Sequence, residues 1–406
     1  MFTRLRTLYQ NYPPQFWLMV FGIFLSTAGA GMIGPFLMIY ASEKLGLPLS
    51  TVVTLITINA GTGLFSSFIA GTLADKIGRK PVMVVSLATN GLIYLFMMHA
   101  NTYGAFAFLM FLTGLANPLY QVGADAMLAD LITQEKRSDA YAINRMLNNA
   151  GFAIGPAAGG FLAAVSYDYA FYGAAAGMLI YSLLLLFLAR ETLVKSSSLT
   201  VTQKPDGGYA QIFKDRSYLV FILTLGGGLI APGMLWVLLA VYTKTNYGLP
   251  ENLYGWLPTT NALMCVFVQY FVTGITRRYK PLPIAAVGMF IYAIGVGSVA
   301  LMSSFWGFWL SMVILTFGEL TLVPTASTYV ANISPARLRG RYMSVYWLAW
   351  GISRSCAPLI GGWLNDNVSP HSIWAGGLVI GLTSTLGLFM LARQPEREPL
   401  EELAIV

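Results

Sequence analysis

Charge is what this chain lacks. Only 10% of its 406 residues are Asp, Glu, Lys or Arg, against about 25% in soluble domains. Meanwhile 56% are hydrophobic and the mean hydropathy is +0.64. So few charges cannot cover the surface of a water-soluble fold of this size, so the chain reads as an integral membrane protein. Cysteine is nearly absent. Cys265 and Cys356 both lie in apolar runs, which excludes a disulfide framework. The two histidines, His99 and His371, fall near span ends and suggest no role. No His/Asp/Glu cluster suits a metal, no loop suits a nucleotide and no nucleophile sits with a base, so neither an enzyme nor a cofactor is expected. No sizeable soluble domain is evident for signalling or nucleic-acid binding. The first apolar run begins near Phe16, after Arg4 and Arg6. It is too long for a signal-peptide core and lacks a small-residue cleavage site, so it reads as a retained span.

What the chain has is long apolar runs. A spanning helix needs about 20 mostly apolar residues. Candidate spans lie near 16–40, 50–73, 81–100, 104–130, 139–165 and 169–189, then near 218–242, 251–276, 282–302, 305–332, 341–365 and 372–391. Runs of this length exclude an outer-membrane barrel, whose strands are short and alternating. The largest break, 191–216, is rich in Ser, Thr, Lys, Pro and Gly and reads as a linker. The predicted domains are a six-helix bundle over 1–190 and a second over 217–406.

The halves resemble each other at one constant offset. Leu45–Pro48 (LGLP) recurs as Tyr247–Pro250 (YGLP), Tyr40 as Tyr242, and Gly155–Leu162 (GPAAGGFL) as Ala357–Leu364 (APLIGGWL). Chance similarity among Gly-rich helices would not keep one offset across separate spans. The fold class predicted is an all-α membrane protein of twelve transmembrane helices in two pseudo-symmetric bundles. Parallel repeats of this kind put a substrate site near the midplane. Lys and Arg gather in alternate loops and both tails; Lys44 and Lys244 are the exceptions outside the spans. By the positive-inside rule both termini are cytoplasmic, which places the chain in the cell's inner (plasma) membrane.

One loop is unusually polar and punctuated: Gly71–Val82, GTLADKIGRKPV. Its basic residues follow the inside rule, but Asp75 opposes it and needs a separate reason. The pattern Gly71, Leu73, Asp75, Gly78, Arg79, Lys80, Pro81 resembles the signature loop of the major facilitator superfamily. The resemblance implies a latch between the halves on the cytoplasmic side. Gly71 would let the second span approach the eleventh. Asp75 would face the start of the eleventh, near Gly340 and Arg341, where free N–H groups and the helix dipole favour an anion. Arg79 would pair with Asp130. The second-half copy, Gly274–Pro281, keeps Gly and basic residues without the acid.

In the fifth span, Gly151, Gly155, Pro156, Gly159 and Gly160 resemble the antiporter motif of the superfamily's drug:proton exporters. Small residues at this spacing pack backbone to backbone in any case. One departure matters: that subgroup carries an Arg in the fourth span before a Gly, and here Met110 precedes Phe111–Gly114.

An ionisable residue inside a span is a functional candidate and needs a partner. Glu319 and Arg354 are equidistant from the loop near Arg337 and are expected at similar depth, able to pair. Asp125 and Arg145 stand likewise about Glu135, closer to the cytoplasm, and read equally well as a structural ion pair. Polar residues at four-residue spacing share helix faces: Asn117, Gln121 and Asp125; Asn261, Cys265 and Gln269; Tyr346, Trp350 and Arg354. Isolated amides also serve as interhelix glue, but three aligned stripes suggest a lined cavity. Phe317–Leu320 (FGEL) followed by Pro324 resembles the tenth-span segment of multidrug exporters, where the acid meets cations. The resemblance implies a monomeric secondary transporter with a small-molecule substrate, protons and the lipid bilayer as partners. It would export lipophilic, often cationic compounds, with Asp75, Glu319 and Asp125 as candidate proton sites. The alternative is another cargo: a lipid or glycolipid, a sugar, or an anionic metabolite held by Arg354.

Overall fold

The computed structural model describes residues 12–133, 136–193, 212–335 and 338–394. Most of the expected linker, Glu135, Arg337 and the tails bearing Arg4 and Arg6 lie outside the described residues. Among the described residues the chain is a succession of helices. We number the twelve long segments α1 (Pro14–Leu45), α2 (Leu49–Ile77), α3 (Arg79–Met97), α4 (Tyr103–Leu131), α5 (Arg137–Val165), α6 (Tyr167–Leu188), α7 (Arg216–Tyr247), α8, α9 (Pro281–Leu301), α10 (Phe305–Ile333), α11 (Arg339–Asn367) and α12 (Ser372–Ala392). Segment α8 is three consecutive stretches, Glu251–Tyr254, Trp256–Phe267 and Gln269–Thr276. Nine of the twelve are long and apolar enough to cross a membrane on their own composition. The others are α8, which is broken, and α5 and α11, whose first halves carry Arg, Asn and Ser.

The chain forms two compact units, Met1–Ser197 with Gly248–Leu263, and Ser198–Tyr247 with Met264–Val406. The start of α8 therefore belongs to unit 1, although the second half of the sequence encodes it.

Each unit repeats the other's internal plan. In unit 1, α1 packs on α5 and α6, α3 on α4 and α6, and α2 on α4; in unit 2, α7 packs on α11 and α12, α9 on α10 and α12, and α8 on α10. The sequence offset carries over to individual atoms. Tyr40 meets Phe106 edge-on at 6.2 Å, and Tyr242 meets Phe308 likewise at 6.3 Å. Gly46 and Gly248 both end a helix in the left-handed region, at φ 61° and 63°, a conformation that costs glycine little.

Close backbone approach sets the α1–α5 contact. A Cβ on Gly155 would fall 2.6 Å from the Ala28 carbonyl oxygen and 2.9 Å from Gly31 Cα, and one on Gly151 would fall 2.9 Å from Thr27 Cβ. Gly159 abuts the Met32 backbone. Thr27 also donates to Asn148 Oδ1 at 2.8 Å. The repeat holds in unit 2, where Gly233 of α7 packs on Ala357 of α11. Lys44 donates to the Met98 carbonyl at the end of α3, where a cation suits the helix dipole.

Candidate functional site

The signature loop is the turn from α2 to α3. It is built around Gly78, whose φ of 115° is strained for residues with a Cβ. Gly78 precedes α3 and has no side chain to cap it, so the first amides of α3 are satisfied from elsewhere. Glu191, just past α6, accepts Arg79 N–H at 3.1 Å and Lys80 N–H at 3.0 Å. It also accepts its own neighbours Thr192 and Leu193 at 2.8 Å each. Burial alone pushes the Glu191 carboxyl up, but these four backbone donors outweigh it and hold it below the usual 4.5.

The Arg79 side chain is mostly buried, with Nε 3.1 Å from Asp130 Oδ2 and Nη2 3.5 Å from Asp75 Oδ1. The Nε contact is close but too misaligned for a hydrogen bond, so its attraction is largely Coulombic. Thr192 donates to the same Asp130 oxygen at 2.9 Å. The loop, the end of α4 and the residues after α6 thus form one polar knot. The carboxylate of Asp75 remains 71% exposed. Within its own unit, open space surrounds the place a Cβ would take on Gly71.

At the opposite end of unit 1, the rest of the glycine motif meets the start of α8. Gly160 abuts the backbone of Glu251 and Asn252, and Gly255 abuts the Pro156 carbonyl. Thr259 donates to the Ala153 carbonyl at 2.5 Å, and Tyr167 donates to Glu251 Oε1 at 2.5 Å. Glu251 is only 5% exposed. Sequence reasoning passed over Glu251, Tyr167 and Glu191. A signal for Glu251 existed: it stands where the first half has Leu49, immediately after the repeated Gly-Leu-Pro.

The two ion pairs expected inside the spans, Glu319 with Arg354 and Asp125 with Arg145, are not formed. Glu319 follows Gly318, which abuts the Tyr292 backbone of α9, so the acid stands beside the α9–α10 contact. Arg354 sits on α11 beside Gly233 of α7, and no hydrogen bond or ion pair holds it among the described residues. The structure therefore does not bring Glu319 and Arg354 into an ion pair. Nor does it pair Asp125 with Arg145: Gln121, one turn away, donates to both Asp125 oxygens at 3.2 Å, and Arg145 is exposed. Asn117 is exposed, and Asn261 is buried within unit 1. Gln269 bonds Thr273 at 2.8 Å and the Leu320 carbonyl at 3.1 Å, which ties α8 to α10 as glue. Tyr346 and Trp350 follow the Arg354 face of α11.

Two duplicated units with a Gly-x-Leu-x-Asp-x-x-Gly-Arg-Lys-Pro loop between α2 and α3 lead to one family. Residues 19–235 and 230–404 match the sequence profile of the Major Facilitator Superfamily. The chain belongs to the major facilitator superfamily. It is a transporter, not an enzyme. It is 26% identical over 375 residues to a Na(+), Li(+), K(+)/H(+) antiporter of Planococcus maritimus, covering 83% of this chain and 86% of that one. It is 24% identical over 349 residues to the multidrug resistance protein MdtH of Salmonella paratyphi B, covering 84% of each. Among solved structures it resembles the nucleoside transporter NupG, with a TM-score of 0.78 at 12% identity over 93% of this chain and 99% of that one. It also resembles a bacterial homolog of the human lysosomal transporter Spinster, with a TM-score of 0.76 at 14% identity over 93% and 96%. At such identities these two show the fold alone.

Proposed function

We propose that this facilitator exports lipophilic small molecules, cationic ones among them, in exchange for protons. Two six-helix bundles, 1–190 and 217–406 joined by 191–216, would alternate access from the two sides of the cell's inner membrane. The observation that carries the reading is Glu319. It is a half-buried acid in the middle of α10, beside the close α9–α10 contact at Gly318, and an acid at such a place is costly unless it serves transport. The likeness to an ion/proton antiporter and to a multidrug resistance protein supports proton coupling and a broad cargo.

With both termini on the cytoplasmic side, the Asp75 loop lies inside. Its exposed carboxylate is free to meet the N-terminal end of α11 when the inner mouth shuts, while Arg79, Asp130 and Glu191 keep the loop in shape. At the outer end, the start of α8 would leave α5 and α6 when the outer mouth opens. Asp75 and Asp125 are further candidate proton sites.

The test is dye movement in proteoliposomes with an acidic lumen. Ethidium should accumulate opposite to proton flow, and the absence of any pH-dependent movement would refute the proposal. Glu319→Gln should weaken the transport of cations more than that of neutral compounds; equal loss would assign Glu319 to coupling or structure instead.

A further inference from the structure

Glu251 is a buried acid at a place where the duplicated plan does not require one. It opens α8, is 5% exposed and accepts a hydrogen bond from the Tyr167 hydroxyl at 2.5 Å. The chain carries its own comparison. At the constant offset between the halves, Leu49 opens α2, and it too is buried, at 7% exposure. A leucine is thus enough to start such a helix and bury its first residue. A carboxylate in the same role gives up its water, and a buried anion is costly unless its surroundings replace that hydration.

Those surroundings come from three helices. On α5 the contact is backbone, with Gly160 against Glu251 and the Pro156 carbonyl against Gly255, and residues 151–165 include no titratable side chain. On α6 stand Tyr167 and the exposed Asp168. On α1 the Tyr40 ring lies 5.4 Å from that of Tyr167, and Glu43, one turn further on, brings a second negative charge to this end. Lys44 of α1 is directed to the Tyr40 hydroxyl at 2.7 Å and to the Met98 carbonyl. Within α8, Tyr254 packs edge-on against Phe36 at 5.9 Å. Seating the start of α8 thus takes Glu251 out of water to a phenol, with further acids at the same end. The neutral acid is seated at less cost than the anion, so the docked segment binds a proton more tightly than the undocked one.

We propose that Glu251, with Tyr167, is a proton-binding site whose occupancy seats the start of α8 on α5 and α6. A proton passes from water to a Glu251 carboxyl oxygen as the segment docks and returns to water as it leaves. The proposal rests on the transport reading for the undocking and for which end faces outward; there, proton entry closes the outer mouth behind departing cargo. The test is maleimide labelling of Ala153→Cys in detergent, with Cys265 and Cys356 replaced by Ser. Rates are divided by those of the exposed Gly104→Cys, which removes the thiol's own titration. A one-unit difference in proton affinity between the two states lowers labelling about tenfold between about pH 8 and pH 5.5. Glu251→Gln, which imitates the protonated acid, should label slowly and equally at both. Tyr167→Phe removes a donor to the carboxylate and should raise the midpoint by about one pH unit. The proposal is overturned if labelling with Glu251 in place is independent of pH, if Glu251→Gln keeps the same fall, or, should that variant not fold, if Tyr167→Phe leaves the midpoint unmoved. Gly160→Ala on the same reporter separates the two readings. If it speeds labelling while pH does not matter, the segment docks without a proton and only this site falls; if it too changes nothing, the docking falls with it. A pH-dependent reporter alongside failed dye transport would sink the export reading and leave the proton site standing.

Discussion

Gly160→Ala tests whether the start of α8 is a part that docks and leaves. In the structure a Cβ on Gly160 would fall 3.0 Å from the carbonyl carbon of Glu251 and 3.2 Å from Asn252 Cα, with the Glu251 oxygen closer still, where ordinary contacts run 3.4–4 Å. One methyl group therefore overpacks the docked arrangement. Overpacking of this kind costs about 1–3 kcal/mol. The docked state alone bears it, because an undocked Gly160 has no backbone opposite. The flanking hydrogen bonds, Tyr167 to Glu251 and Thr259 to Ala153, are stretched by the same displacement, and each is worth about 0.5–1.5 kcal/mol net. A coupling of about 1–3 kcal/mol shifts a two-state balance roughly 5–150-fold. The assay is maleimide labelling of a cysteine at Ala153, which is buried in the docked arrangement, in a protein with Cys265 and Cys356 replaced by Ser. Gly160→Ala should raise the labelling rate by that factor, and Gly104→Ala, where a Cβ meets nothing, should not. An unchanged rate in Gly160→Ala would mean that the segment is a fixed part of unit 1, and the reasoning would fail.

Three further outcomes are expected. Because Glu191 titrates below 4.5 in the folded protein, its contribution is fully present above its unfolded value and is lost as pH falls through the lowered one. The stability difference between wild type and Glu191→Gln, read as Tm in detergent, should therefore be flat from pH 7 to about 5 and shrink below the ordinary carboxylate range; a difference that already shrinks near neutrality would contradict the cap. Gly78→Ala should cost about 1–3 kcal/mol from the positive φ, with added loss because its Cβ displaces the Glu191 carboxylate; wild-type stability would refute this. In unit 2, Tyr342 donates to the buried Asp215 at 2.9 Å, so Tyr342→Phe should lower stability by about 1–3 kcal/mol with α7 and α11 otherwise intact, and a neutral result by thermal melt would show that the bond contributes nothing.

Much of the architecture was legible before any coordinates. Low charge dictates a lipid environment, because an uncharged run of some twenty residues satisfies its backbone only as a helix there. A fixed offset between the halves dictates a duplicated plan, and it reappears in the paired Gly46 and Gly248 caps and in the Tyr40–Phe106 and Tyr242–Phe308 contacts. The loop at Gly71–Pro81 was readable because its demands are local: a positive φ at Gly78 and charges one helical turn apart. What one chain pattern cannot specify is which distant groups converge. Depth along a span is readable from residue spacing, but the direction a side chain takes about the helix axis depends on neighbouring helices. For that reason Glu319 and Arg354, equidistant from the loop between their helices, do not meet, Asp125 is met by Gln121 in place of Arg145, and Glu191 and Glu251, unremarkable in their own segments, take their places from the α3 amides and from Tyr167. The amino-acid order alone determined the membrane helices, their repeat and the loop, since these rest on short-range geometry and solvent; packing across hundreds of residues decided which polar groups meet.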